Sequence, residues 1–386
     1  MGSPDHPDTQ KEHPMSEVVK KRIGIIGLDH WYIGREAPAI ASRRSDAEVV
    51  TVAHRDAANR QTLVTQGNIP HQTDDYLSVA TDPDVDVVVT ACTTAENVEL
   101  CLAAVEHGKH LVLVKPCAMT VADAERLANA VARAGVMAVP YESHTRFQPH
   151  GRSISRWIQE GLIGTPLSAT MISRYSIHGA QLDWPGQPNP NAWWMDPARV
   201  PGGGWMDHSI YLIDWLRWTL QDEVVAITGM SRTLVHKDLD PQKEDFGVAL
   251  IEFSRGAVAT VEVTWSSPRG NGLTSWQFAG TDGNLVYDGS INPSIVVRSS
   301  HGNADATAWQ TLLPDSHPVS GRTPHDGRGY AESSYRTSMS AGPLDHLLDC
   351  LADGTRPIAT IDDSVLTLKA CLAFYEASHT GTTVKL

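Results

Sequence analysis

Short β-branched runs alternate with amphipathic runs over the first 140 residues, and this alternation restricts the chain to few folds. It predicts strands at residues 21–27, 47–53, 85–91, 110–114 and 137–140, and helices at residues 36–42, 57–67, 96–108 and 120–134. Strands that alternate with helices are joined by right-handed crossovers and build a parallel, doubly wound sheet. We therefore predict an α/β, Rossmann-like domain over residues 21–145.

A different pattern begins after Pro149 and predicts a second domain. Strand-like runs lie at residues 167–175, 224–235, 246–253, 258–264 and 274–279, with hairpin signals at Ser254-Arg255-Gly256, Asp282-Gly283 and Asp288-Gly289. This pattern indicates a large, mostly antiparallel open sheet and an α+β domain over residues 146–386. Helices at 344–352 and 362–380 close the chain and are expected to pack back near the first domain. Residues 1–20 are polar and are predicted to form a disordered extension.

Composition and charge exclude several classes of partner. The chain has 386 residues, a formal net charge of −14 and five scattered cysteines without metal-ligand spacing. Nucleic-acid binding needs a concentrated basic face, so no nucleic-acid partner is expected. No apolar run reaches the length of a membrane span, and the cysteines suit a reducing compartment. We therefore expect no membrane partner and a cytoplasmic location.

A glycine turn followed by an amphipathic run is the first candidate for a site. The glycines at 202–204 let the backbone turn sharply, and the apolar periodicity over residues 205–220 predicts a helix. Asp207, Tyr211 and Asp214 are four and three residues apart, so they share one face of that helix. A carboxylate and a phenol placed there can handle a proton. The alternative is a packing helix that Asp207 caps.

The turn after the first strand is where a doubly wound sheet holds a dinucleotide. Of the expected G-x-G-x-x-G pattern only Gly27 is in register, with Gly34 available if the loop is longer. Asp29 would repel phosphate there unless its side chain points away or caps the helix. The second strand ends in His54 and Arg55, where an acidic residue usually binds the ribose of NAD. Arg55 suits adenine or a 2′-phosphate, or both residues are exposed loop residues, so NAD and NADP both stay open.

Lys115 directly follows the strand predicted at residues 110–114 and precedes Pro116. The carboxyl end of a parallel strand faces the crevice in which open sheets bind ligands. Lys115 is therefore a candidate third member of an acid–base set with Asp207 and Tyr211. The alternative is a solvated surface lysine.

Together these motifs resemble the glucose–fructose oxidoreductase and inositol dehydrogenase (Gfo/Idh/MocA) family from about Lys21 to Leu386. The resemblance is carried by Lys115-Pro116 in the place of the family's E-K-P, the G-G-G turn with D-x-x-x-Y and Asp214, Arg146-Phe147, and the closing G-x-x-V-x-L at residues 381–386. Two residues depart from the family pattern: Val114 replaces the glutamate of E-K-P, and Ser209 replaces a usual glycine.

The resemblance implies a role for each residue of the acid–base set. Lys115 is expected to contact the substrate hydroxyl and the nicotinamide ribose, and Asp207 to orient the sugar. Tyr211 stands at the family's acid–base position; a phenol titrates at about pH 10 in water, so it is expected to need a cation such as Lys115 to work near neutrality. Asn97 is expected near the nicotinamide. The cofactor is expected to be NAD, with NADP not excluded, bound by Gly27, Asp29, His30, Trp31, His54, Arg55, Thr93, Asn97 and Lys115.

A substrate pocket is also predicted from residue types. Aromatic side chains stack on sugar faces, and arginine forks suit a carboxylate, sulfonate or phosphate. The predicted pocket consists of His144, Arg146, Arg174, His178, Trp193, Trp194 and His208, each of which is alternatively a structural residue. Nicotinamide chemistry requires no metal, so none is expected.

The function implied by the resemblance is an NAD(P)-dependent oxidoreductase that acts by hydride transfer on a secondary hydroxyl of a sugar, cyclitol or glycoside. One alternative is an NAD-dependent oxidoreductive glycosidase that uses transient C3 oxidation, elimination, hydration and re-reduction, for instance on an anionic sugar such as a sulfoquinovoside. A further alternative is a non-catalytic ligand-binding protein. Family members associate through the open face of the second sheet, so a homodimer or homotetramer is expected.

Overall fold

The computed structural model describes residues 20–30, 32–176, 192–267, 272–289, 294–301, 308–314 and 342–386. Two predicted site residues, Trp31 and His178, lie outside the described residues, as do the polar stretch at 316–340 and the predicted N-terminal extension apart from Lys20.

Six parallel strands build the first sheet. They are β1 (Lys21–Ile26), β2 (Ala47–Ala53), β3 (His71–Thr73), β4 (Val87–Thr90), β5 (His110–Leu113) and β6 (Ala138–Pro140), in the spatial order β3-β2-β1-β4-β5-β6. Helices α1 (Ala37–Ala41), α2 (Ala57–Gly67), α3 (Tyr76–Ala80), α4 (Thr94–Glu106) and α5 (Val121–Ala134) alternate with the strands. The predicted doubly wound α/β sheet is confirmed. The strand order reverses between β1 and β4, which places the ligand crevice at the carboxyl ends of these two strands.

Local sequence accounts for these elements. The central strands carry unbroken apolar runs because both of their faces are covered, as at Val87–Val89, where all three side chains are buried. Asp56 caps α2 by accepting from the backbone N–H groups of residues 58 and 59, and Thr120 caps α5. Strand β3 and helix α3 were not predicted. Their three and five residues are too few to show a period, and the strand sequence His71–Thr73 is polar.

Nine strands build the second sheet, in the order β14-β13-β12-β11-β7-β10-β9-β8-β15. They are β7 (Pro166–Arg174), β8 (Val224–Arg232), β9 (Phe246–Phe253), β10 (Val258–Thr264), β11 (Leu273–Gly280), β12 (Gly283–Asp288), β13 (Ser294–Ser299), β14 (Gln310–Leu312) and β15 (Val384–Lys385). Only β7 and β10 pair in parallel within this described sheet; the other pairs are antiparallel. The prediction of a mostly antiparallel open sheet is confirmed.

Among the described residues, five helices accompany the second sheet: α6 (His144–Phe147), α7 (Pro149–Gln159), α8 (Gly204–Leu220), α9 (Pro343–Asp353) and α10 (Ile361–Thr380). Helix α8 lies on the inner face of the sheet, where Trp205 stacks on Phe374 with ring centroids 3.8 Å apart and Trp215 packs on Trp276 at 4.5 Å. Helix α10 packs against both α8 and α5 of the first domain, so the chain's last helix joins the two sheets. No helix of the described part is long and apolar enough to cross a membrane.

A buried ion pair ties these helices together. The Arg146 guanidinium on α6 makes two hydrogen bonds to the Asp214 carboxylate on α8, at 2.8 and 2.7 Å, and a third to Asp363 on α10 at 3.0 Å. Arg146 and Asp214 are 2% and 0% exposed. Arg146 was predicted to line the substrate pocket, and that prediction is wrong because its fork is fully engaged inside the protein.

We expect Arg146→Met to lower the free energy of unfolding by about 3–5 kcal/mol, because it leaves the Asp214 carboxylate buried without its cation. Urea unfolding measures this change. Arg126→Met is the matched control: it breaks only exposed ion pairs, such as that of Arg126 with Glu99, so it is expected to leave the free energy of unfolding nearly unchanged. Equal losses in the two variants would contradict the structural role of Arg146.

Candidate active site

The glycine turn before α8 is held from the connection between β8 and β9. The Glu244 carboxylate accepts hydrogen bonds from the backbone N–H of Trp205 at 2.8 Å and of Gly203 at 3.1 Å, and from the Tyr375 hydroxyl at 3.0 Å. The Lys243 ammonium donates to the backbone carbonyl of Gly202 at 2.6 Å. A side chain at Gly203 would collide with the backbone of Glu244, so the turn requires glycine there. This clamp fixes the first turn of α8.

The predicted acid–base set converges at the end of β5. The Lys115 ammonium donates to the backbone carbonyl of Asp207 at 2.9 Å and forms an ion pair with its carboxylate. It lies 4.3 Å from the ring centroid of Trp194 and 5.1 Å from that of Tyr211. Lys115 is 2% exposed, and burial lowers its pKa. Lys115 is thus not a solvated surface residue.

The Asp207 carboxylate is held on its other side as well. Its Oδ2 accepts from the Trp265 indole N–H at 2.8 Å and lies 3.1 Å from Nδ1 of His208. His208 stacks on Tyr175 with ring centroids 4.3 Å apart. Asp207 is therefore not merely a helix cap: no side-chain cap bond is formed at α8, and its two oxygens face Lys115 and Trp265.

Tyr211 is half-buried, and its hydroxyl forms a hydrogen bond with the Tyr32 hydroxyl. Burial raises the pKa of Tyr211 well above its ordinary value. The sequence-based expectation that Lys115 brings this pKa toward neutrality is not met, because Asp207 neutralises the lysine charge. Tyr211 is a neutral phenol at neutral pH.

The turn after β1 differs from the prediction in the role of His54. Gly27 has φ +83°, and a side chain there would collide with the backbone of Cys92. The His54 Nδ1 accepts from the backbone N–H of Leu28 at 3.2 Å and lies 3.1 Å from the Tyr76 hydroxyl. Burial lowers the pKa of His54 to about 4, so the ring is neutral. His54 is 6% exposed, and its ring supports the turn from inside the domain through the contact with Leu28. It therefore does not serve as the predicted ribose ligand.

The carboxylate of Asp29 turns away from the start of α1. It accepts from the Tyr76 hydroxyl at 3.3 Å, and burial raises its pKa to about 6. Its backbone carbonyl accepts from the Trp193 indole at 3.1 Å. His30 is 1% exposed and packs edge-on against Tyr32, so its ring lies under the turn rather than on its surface.

The remaining predicted cofactor residues are Arg55, Thr93 and Asn97, and their surroundings near the start of α4 differ. Arg55 is exposed, pairs with Glu96 and lies 4.6 Å over the Tyr76 ring, while the Thr93 hydroxyl donates to Glu96 at 2.7 Å. Asn97 is fully buried: its amide donates to the carbonyl of Cys117 at 2.7 Å and accepts from a thiol. The predicted contact of Asn97 with the nicotinamide is wrong, because both ends of its amide are used inside the domain.

The crevice fits a dinucleotide. Gly27 and Gly34 both have positive φ and bracket the turn, and a side chain at either position would crowd the residues beneath, so glycine lets the turn pack on the sheet. At one end of the crevice a surface pocket is lined by Arg55, Asp74, Asp75, Tyr76, Leu77, Glu96, Glu99 and Leu100. This is the end of β2, where adenosine binds in such sheets. Lys115 lies three strands away, at the end of β5, where the reacting ring belongs.

The predicted pocket residues divide into two groups. His144 is half-buried with its ring 6.2 Å from that of Tyr211, and Trp194 covers Lys115, so both lie in the site. Arg174 was predicted in the pocket, but it pairs with Glu262 at 2.6 Å on the outer face of the second sheet. Trp193 is 4% exposed and holds the turn at Asp29 rather than offering a free face.

A buried carboxyl group, which was not predicted as part of the acid–base set, lies behind Lys115. Glu142 follows β6 and is fully buried; its Oε1 accepts from the backbone N–H of Cys117 at 2.9 Å. Its Oε2 has no hydrogen-bond partner among the described residues. Burial raises the pKa of Glu142 to about 7.

Comparison with known proteins gives the family. Residues 21–142 match the oxidoreductase family with an NAD-binding Rossmann fold, and residues 152–286 match the GFO/IDH/MocA C-terminal domain. The chain belongs to the Gfo/Idh/MocA family, and its first domain is that family's NAD-binding fold. The predictions of family and of NAD as cofactor are confirmed.

Individual relatives span nearly the whole chain. The chain is 26% identical to a 1,5-anhydro-D-fructose reductase of Ensifer adhaerens, with 93% of this chain and 97% of the relative covered. It is 22% identical to a scyllo-inositol 2-dehydrogenase (NAD+) of Bacillus subtilis, with 95% and 96% covered. The structure of a levoglucosan dehydrogenase in complex with NADH and levoglucosan superposes with a TM-score of 0.80 at 20% identity, with 95% and 99% covered.

The raised pKa of Glu142 predicts a pH dependence of stability. Between about pH 4.5 and 7 the folded protein holds a proton that the unfolded chain releases, so native stability falls as the pH rises through this window. The free energy of unfolding of the wild type is expected to fall by about 2–3 kcal/mol relative to that of Glu142→Gln. Urea unfolding at both ends of the window measures it. Glu125→Gln, on the exposed face of α5, is the control, and parallel curves for wild type and Glu142→Gln would contradict the prediction.

Proposed function

We propose that this protein is an NAD-dependent oxidoreductase that transfers hydride between the nicotinamide and a secondary carbinol carbon of a neutral sugar or cyclitol. The observation that carries the proposal is the convergence of Lys115, Asp207 and Tyr211 at the carboxyl edge of an NAD-binding sheet. The relatives named above, a reductase and dehydrogenases of sugars and of an inositol, support the substrate class.

The residues divide the work of such a reaction. NAD supplies the hydride acceptor or donor when bound. Lys115 donates a hydrogen bond to the substrate oxygen and stabilises negative charge on it, while Asp207 holds the ammonium in place. Tyr211 exchanges a proton with that oxygen through its hydroxyl. Trp194 covers Lys115 and excludes water from the ion pair. Because Tyr211 is protonated at neutral pH, the site suits proton donation to a carbonyl, and alcohol oxidation is expected to accelerate at alkaline pH.

A neutral substrate is proposed because the two arginines predicted to bind an anionic group are engaged elsewhere. Arg146 pairs with Asp214 in the interior, and Arg174 pairs with Glu262 on the outer sheet face. Neither of these two arginines is therefore left to bind a sulfonated or phosphorylated sugar.

The decisive experiment compares Tyr211→Phe with the wild type on a panel of sugars, inositols, anhydrosugars and aryl glycosides. We expect turnover to fall by roughly 10²–10⁴-fold, because a general acid–base group is lost. Nucleotide binding, followed through tryptophan fluorescence, is expected to stay unchanged. Tyr287→Phe is the matched control. It also removes a phenol hydroxyl, but from a tyrosine of the second sheet that stacks on His150, and it is expected to keep full turnover.

The same panel separates the alternatives. Net NADH formed in proportion to the sugar consumed supports the dehydrogenase. Aglycone released without net NADH would identify the redox-neutral glycosidase. Failure of the wild type to bind NAD+ or NADP+ would leave only a ligand-binding role.

We expect NAD+ to bind roughly tenfold or more tightly than NADP+. The adenosine pocket carries four carboxylates, on Asp74, Asp75, Glu96 and Glu99, against one arginine that Glu96 already pairs. A 2′-phosphate would meet net negative charge there. Fluorescence titration with both nucleotides measures the ratio. Glu96→Gln releases Arg55 and is expected to narrow the ratio, whereas Glu125→Gln does not change it. Tighter binding of NADP+ by the wild type would contradict the assignment.

The outer face of the second sheet supports the expected homo-oligomer. It exposes Met230, Leu250 and Val258 on three adjacent strands, and an apolar sheet face of this kind is normally covered. A single species of 41.9 kDa in sedimentation would show that this face stays uncovered.

A further inference from the structure

Tyr32 belongs to the cofactor turn but reaches the catalytic helix. It follows β1 within the altered glycine fingerprint, and its hydroxyl forms a hydrogen bond with the hydroxyl of Tyr211, 179 residues later. Its ring is fixed on two sides: His30 lies edge-on at 4.4 Å, and Tyr141 lies at 5.4 Å between ring centroids. A glycine, which the fingerprint leads one to expect in this turn, could make none of these contacts.

We propose that Tyr32 is a positioning residue for Tyr211. Its hydroxyl donates a hydrogen bond to the Tyr211 oxygen, orients that phenol, and stabilises the phenolate formed when Tyr211 transfers its proton. The role rests on the proposed oxidoreductase function. It is specific to this turn, because the residue that contacts Tyr211 comes from the loop that binds the dinucleotide.

The proton transfer itself decides which phenol is the donor, because either hydroxyl can donate in the resting pair. Burial raises the pKa of both tyrosines, and the nearby carboxyl groups of Asp207 and Glu36 raise both of them further. Once Tyr211 has given its proton to the substrate, its oxygen can only accept a hydrogen bond. Tyr32, which still holds its proton, is then the donor.

The proton balance of the reductive direction is simple. The O–H bond of Tyr211 breaks, its proton goes to the substrate carbonyl oxygen, and hydride from the dinucleotide goes to the carbonyl carbon. The Tyr211 oxygen is left negative and accepts the hydrogen bond from Tyr32 until solvent returns a proton. In the oxidative direction the same oxygen must be deprotonated first. Loss of the Tyr32 hydroxyl is therefore expected to slow alcohol oxidation more than carbonyl reduction.

A double-mutant cycle tests the contact without nucleotide or substrate. Tyr32→Phe, Tyr211→Phe and the double variant are compared by urea unfolding. A hydrogen bond between the two phenols is expected to appear as a coupling of roughly two- to tenfold in the unfolding equilibrium constant. Strictly additive effects would overturn the proposal whatever the protein's activity.

The pH profile of alcohol oxidation tests the positioning role. In Tyr32→Phe, kcat/KM near neutrality is expected to fall by roughly 10- to 100-fold, because a hydrogen bond to a charged oxygen is lost. The rising limb is expected to move up by about one to two pH units. NAD+ affinity is expected to stay within about threefold, since the backbone of the turn is kept. Tyr141→Phe removes a hydroxyl from the neighbouring ring and is expected to leave the profile in place.

The outcomes separate the two proposals. If the wild type oxidises an alcohol and Tyr32→Phe shows the wild-type profile, the role of Tyr32 is wrong and the oxidoreductase stands. If the wild type oxidises no alcohol and reduces no carbonyl with either nucleotide, the proposed function fails and the role of Tyr32 fails with it.

Discussion

The buried ion pair of Lys115 and Asp207 is the interaction on which the site depends, because it joins the first sheet to the central helix of the second domain. Lys115 lies two residues after the end of β5, and Asp207 lies in the first turn of α8, 92 residues later. A buried ammonium is costly unless it is paired and hydrogen-bonded. The carboxylate and the backbone carbonyl of Asp207 both accept from it, and Trp265 holds the carboxylate from the other side. A shift of α8 relative to β5 would leave one charge unpaired, so the pair fixes the two domains as well as the chemistry.

Most of the fold was predictable because its signals are local and repeated. Strand–helix alternation predicted the parallel sheet, and the change to hairpin signals after Pro149 predicted a mostly antiparallel second sheet with strands β7 to β11. Strands β12, β13 and β14 of the second sheet were not predicted. In the first domain the missed elements, β3 and α3, are three and five residues long and carry no period. The positions of β3 and α3 are set by pairing with β2 and by packing on β1 and α4, which are contacts between residues distant in the sequence. Parallel pairing of β7 with β10 is of the same kind, since α8 and two strands intervene between them.

The site was predictable only where a rule connects sequence position to space. Lys115 follows the carboxyl end of a parallel strand, and Asp207 and Tyr211 share a helix face, so their convergence was predictable from two general rules. The errors at Arg146, Arg174 and Asn97 have one cause. Their partners, Asp214, Glu262 and Cys117, lie 68, 88 and 20 residues away, and residue type alone does not show that a cation or an amide is already engaged. Tyr32 was missed for the same reason, since its partner is farther still.

The central ion pair also decides which proton chemistry the site favours. Lys115 is neutralised by Asp207, so it does little to help Tyr211 ionise, and burial keeps that phenol protonated. A protonated phenol is ready to donate to a carbonyl oxygen, whereas a phenolate is needed to take a proton from an alcohol. The Tyr32 hydroxyl is a neighbouring group that can stabilise the phenolate without adding charge. A site with an ion-paired lysine and two neutral phenols therefore favours carbonyl reduction at neutral pH, and alcohol oxidation becomes faster only as the pH rises.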